Sequence, residues 1–152
     1  MKKFLFLIGL AYFCGICRAN AAAPQMIGEY DDWVAYYYRD SAGPVCYMAS
    51  TPKKDEGKYS RRGDIYAVIT HRPNEKSFDV LNINAGYTYK PDSKVTIKIG
   101  AKTFDRLFTS GDKAWAVSEK VDKEIVDAMK RGSRMVCLLY TSPSPRDTER
   151  SR

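Results

Sequence analysis

From Trp33 onward the apolar residues fall in short runs separated by turn residues at intervals of roughly ten, the rhythm of an all-β sandwich or barrel. WVAYYY (33–38), VCYMAS (45–50), IYAVITHR (65–72) and Phe78 to Asn84 each carry the aromatic and β-branched content of a strand. SAGP (41–44), the polar stretch TPKKDEGKYSRRGD (51–64) and Pro73-Asn74 interrupt them. IYAVITHR is apolar on both faces, which predicts a central strand covered on both sides. Lys94 to Ile99 alternates cleanly, with Val95, Ile97 and Ile99 facing in and Thr96 and Lys98 facing out. Gly100-Ala101 supplies a tight turn, which predicts a hairpin partner over Thr103 to Phe108. Ser110-Gly111-Asp112 turns the chain again into Lys113 to Val117.

One segment has helical spacing: Val121, Ile125, Ala128 and Met129 share one face. Ser118 is the expected N-cap, Lys130 and Arg131 complement the dipole at the far end, and Gly132 closes the helix.

The two ends do not share this pattern. Met1 to Pro24 opens with Lys2 and Lys3, continues apolar from Phe4 to Cys17 and finishes in small residues, the layout of a secretory signal peptide. Ala19-Asn20-Ala21 places small side chains for cleavage before Ala22. The apolar run falls short of the ~20 residues that a membrane-spanning helix needs. Cys14 and Cys17 form a C-x-x-C inside this leader, without the βαβ surroundings of a redox motif, and are expected to leave with it.

At the other end, Cys137 to Asp147, CLLYTSPSPRD, matches residue for residue one reading frame of a transposase-type sequencing-library adapter, and Arg150-Ser151-Arg152 fits the same frame further on. The expected organisation is therefore 1–21 signal peptide, 22–136 β-domain and 137–152 an adapter-derived, disordered tail. On this expectation the native C-terminal strands are missing.

Those boundaries change the charge and cysteine arithmetic. The whole chain carries a formal +7, but residues 22–136 hold 12 Lys and 7 Arg against 16 acidic residues, a net +3. That is too mild to argue for nucleic acid. One cysteine remains, Cys46, within the apolar run Val45 to Ala49, and it is expected to be buried.

With the strands placed, DDWVAYYYRDSAGPVCYMAS (31–50), the THRP turn (70–73), AGYTYKPDSKVTIKIGAKTFDRLFTSGDKAWA (85–116) and DKEIVDAMKRGSRMV (122–136) resemble the invasion-associated locus B family of secreted alphaproteobacterial proteins. The resemblance implies an immunoglobulin-like β-sandwich exported beyond the inner membrane. It also implies a chain continuing past Val136 into a further hairpin and a short helix. Many relatives carry a cysteine a few residues after the first tryptophan, able to pair with the one equivalent to Cys46; this chain has Tyr36, Tyr37 and Tyr38 there. The family implies no catalytic activity.

The chemistry-bearing residues agree with a non-enzyme. His71 is the single histidine and stands at a strand end, without a second histidine or an exposed nucleophile to work with. Asp31 and Asp32 are adjacent, so they cannot face one another as paired carboxylates along a strand. Arg62-Gly63-Asp64 spells an integrin tripeptide, but Gly-Asp is also what a turn ahead of a strand uses. Lys53, Lys54, Lys58, Arg61 and Arg62 are interrupted by Asp55, Glu56 and Asp64, as in a solvated loop. No catalytic, cofactor-binding or metal-binding residues are assigned. The expectation is an exported, periplasmic or secreted binding protein that engages an envelope or host component. Its alternative is an enzyme or small-ligand carrier using a cleft around His71 and the tyrosines.

Overall fold

The computed structural model describes residues 23–57 and 62–140. The leader to Ala22, Lys58, Arg61 and the tail from Thr141 lie outside the described residues. Strands β1 (Gln25–Tyr30), β2 (Trp33–Asp40), β3 (Gly43–Ser50), β4 (Tyr66–Arg72) and β5 (Ser77–Asn84) follow one another as an antiparallel meander. β8 (Leu107–Ser110) and β9 (Lys113–Ala116) complete a seven-stranded sheet in the order β1-β2-β3-β4-β5-β9-β8. A second sheet, ordered β10-β6-β7, contains β6 (Lys94–Ile99), β7 (Lys102–Phe104) and β10 (Met135–Tyr140). One helix, α1 (Glu119–Met129), joins the two. The protein is an all-β sandwich of two antiparallel sheets with one short helix.

The core lies between the small sheet and α1 on one side and the inner face of the large sheet on the other. Val95, Ile97 and Ile99 point into it from β6, as their alternation requires. They meet Ala67 and Ile69 of β4, Leu81 and Ile83 of β5, and Ala114 and Ala116 of β9. α1 adds Val121, Ile125, Val126 and Ala128, and its N-cap forms as expected, with Ser118 Oγ accepting from the Val121 N–H at 3.4 Å. Ile125 is fully buried, so Ile125→Ala costs about 2–5 kcal/mol by lost transfer energy and an unfilled cavity.

Three expectations need correction. The strand expected over Thr103 to Phe108 is two strands in different sheets: Phe104 pairs with Ile97 in the small sheet, whereas Leu107 pairs with Ala116 in the large one. The exposed pair Asp105-Arg106 is the crossing point, where the chain needs polar residues rather than a ladder. Residues 137–140 do not lie off the domain. They form the last four of the six residues of β10, with Cys137 opposite Ile97 and Leu139 opposite Val95. A strand requires apolar side chains in the right alternation, and Met135, Cys137 and Leu139 meet that requirement against the core. Finally, β4 is central but covered on one side only.

β1 was not foreseen because its residues are almost all exposed and show no alternation. It hairpins onto β2 through Asp31-Asp32, with Asp31 in the left-handed region at φ 52. The two exposed aspartates form the turn that leads into β2, and Asp32 pairs with Lys53 at 2.8 Å.

β9 pairs only with residues 82–84 of β5, which leaves the other half of that β5 edge without a ladder partner. α1 fills the gap. The carboxylate of Asp122, buried beneath the helix, accepts the Leu81 N–H at 2.9 Å. Burial raises the Asp122 pKa above the ordinary carboxylate value; the Leu81 hydrogen bond opposes the shift, and the negative charges of Asp79 and Glu119 add to it. A raised folded-state pKa means that the native protein holds this proton more tightly than the unfolded chain does. The contribution is complete below the unfolded carboxylate pKa and is lost as pH rises through the folded value. Asp122→Asn keeps an acceptor for Leu81 and removes the charge, so its melting temperature should gain on the parent between pH 4 and pH 7. Asp122→Ala strands a buried N–H and should cost about 1–3 kcal/mol. Parallel melting curves for parent and Asp122→Asn across that range would disprove the assignment.

Candidate functional site

Alternation along five strands sends a second set of side chains to the outer face of the large sheet, away from the core. β2 contributes Tyr36 and Tyr38, β3 Val45 and Tyr47, β4 Val68 and Thr70, β5 Val80 and Asn82, and β9 Trp115. The register brings them side by side: Tyr36 opposite Tyr47, Tyr47 opposite Thr70, Thr70 opposite Val80, and Asn82 between Val68 and Trp115. Tyr36 and Tyr47 stack with ring centroids 5.0 Å apart, and Tyr38 meets Tyr47 edge-on at 6.1 Å. Burial followed by the neighbouring Tyr36 and Tyr38 raises the Tyr47 pKa.

Tyr38, Tyr47, Val68, Val80, Asn82 and Trp115 line an open groove of about 450 Å³, within the range of about 300–1,000 Å³ of small-ligand sites. Its floor is sealed, with Val45 1% and Asn82 8% exposed.

The two buried asparagines of β5 differ in a telling way. Asn84 is satisfied: its Nδ2 donates to Tyr66 Oη and Asp112 Oδ2, both at 3.0 Å, and its Oδ1 accepts the Gly86 N–H at 2.7 Å. Asn82, two residues earlier on the same face, has a buried Oδ1 with no hydrogen-bond partner. A buried acceptor left this way costs about 1–3 kcal/mol relative to one that is bonded.

One end of the groove is charged but neutralised. Arg72 donates to Asp40 Oδ2 at 2.7 Å, to Tyr38 Oη at 3.3 Å and to Glu75 at 3.3 Å. Asp40 Oδ1 also accepts the N–H groups of Ala42 and Gly43, tying the β2–β3 turn to β4. The Arg72 hydrogen bond is the main reason that the Asp40 carboxyl lies below its ordinary value, and Asp40 in turn raises the Arg72 pKa.

His71 is not part of this groove. It sits between Thr70 and Arg72 but faces the other way, where its Nδ1 accepts the Asp79 N–H at 3.3 Å and its ring lies 5.9 Å from Phe78. Tyr38 and Tyr47 therefore do not share a cleft with His71: alternation puts them on one side of the sheet and His71 on the other.

The Arg62-Gly63-Asp64 tripeptide is tied down as well. Arg62 Nε donates to Ala85 O at 3.0 Å, its Nη1 meets Asp55 Oδ2 at 3.1 Å, and the Gly63 N–H donates to Gly86 O at 2.7 Å. Gly86 takes φ 72, and a Cβ there would run into the Gly63 carbonyl. Of the basic cluster, Lys53 pairs with Asp32, Lys54 with Glu56 and Arg62 with Asp55, as a solvated loop should.

Residues 33–149 match the family model described as invasion associated locus B (IalB) protein. The chain belongs to the IalB family. No curated protein and no solved structure matches it. Within this IalB chain, Tyr37 stands directly opposite Cys46 in the β2–β3 register, so the partner facing that thiol is a phenol. Cys46 and Cys137 are the free cysteines among the described residues.

The residues that sequence reasoning missed are Asn82 and Trp115. The nearest signal was in IYAVITHR, whose two apolar faces were both assigned to covered surface. Cys46 is half-buried rather than fully buried, as is Cys137, and desolvation pushes the Cys137 thiol up to about 11. At pH 8 such a thiol is only about one part in a thousand thiolate. Peptide mapping after brief maleimide treatment of the folded protein at pH 8 should therefore find Cys46 labelled well ahead of Cys137. Equal labelling of the two would contradict this arrangement.

Proposed function

We propose that this IalB-family chain is an exported, non-enzymatic binding protein whose working surface is the outer face of the seven-stranded sheet, engaging an envelope or host component. The observation that carries the reading is the open aromatic groove across β2 to β5 and β9, floored by Val45 and Asn82. Its aromatic faces, hydroxyls and side-chain amide hold a ligand without transferring atoms to it. Export is supported by the Lys, apolar and Ala-x-Ala layout of residues 1–21. No helix of the described residues is long and apolar enough to cross a membrane.

The test is made in a Gram-negative host. The protein should be recovered outside the cytoplasm beginning at Ala22, and it should co-sediment with envelope fragments. Val68→Arg places a charge on the groove wall without touching the core and should abolish most of the co-sedimentation. Lys98→Glu, on the exposed face of the small sheet, should leave it intact. Product that retains Met1 to Ala21 would refute export, and equal sedimentation of the two variants would refute the groove as the working surface.

A further inference from the structure

We draw no further inference here: the strongest candidate, the half-buried patch that Tyr37, Cys46 and Met48 form on the inner face of β2 and β3 beyond the covering layer, carries nothing because nothing in the structure shows what covers it.

Discussion

A β-sheet has two faces, and in this protein the covering layer is large enough for one of them. Seven strands are roofed on the inner side by three short strands and an eleven-residue helix. The roof sits over β4, β5, β9 and β8, where the buried residues concentrate. Burying apolar area there is the main stabilising term, at roughly 25 cal/mol per Å² removed from water. Beyond it, β1 to β3 extend with only Ala35 and Val45 fully buried among their apolar side chains. Everything distinctive about the molecule follows from this one-sided burial.

The outer face shows how a sheet tolerates an uncovered apolar surface. Its side chains cover one another laterally: Tyr47 is stacked by Tyr36 and edged by Tyr38, and Val45 is sealed beneath its neighbours. Tyrosine suits this position because its ring packs while its hydroxyl stays wet. Cross-strand stacking of this kind contributes about 0.2–1 kcal/mol per pair, which holds the side chains in place but does not fill the groove between them. The result is a preformed concavity instead of a collapsed surface.

Edges are managed by polar side chains. Asp122 reaches from α1 to the Leu81 N–H that β9 leaves without a ladder partner. Asp40 and Arg72 lock the β2–β3 turn to the end of β4. Asn84 gathers Tyr66, Asp112 and Gly86 into one network where β5 leaves the sheet. Asn82 is the exception on the same strand: its Oδ1 is sealed from solvent and has no hydrogen-bond partner.

Strand identity was legible from the chain because alternation is a local property. Lys94–Ile99 emerged with its inward and outward residues in the expected order, and the Ser118-capped helix began where its capping residue indicated. Local pattern also separated the leader-like start from the β-domain. What it could not show was which of two apolar faces would be roofed, since Ala67 and Ile69 on one side of β4 look much like Val68 on the other. That depends on where β6, β10 and α1 dock, which is settled by contacts far apart in sequence. The same non-local choice split Thr103 to Phe108 between two sheets, and alternation turned His71 away from Tyr38 and Tyr47. The sequence by itself determined β2 to β6, β9 and the helix, with the inward residues of Lys94–Ile99, but not β1, β10 or the break at Asp105-Arg106. Only the tertiary structure decided that the second apolar face stays open, because a period of two names two faces and says nothing about which one finds a partner.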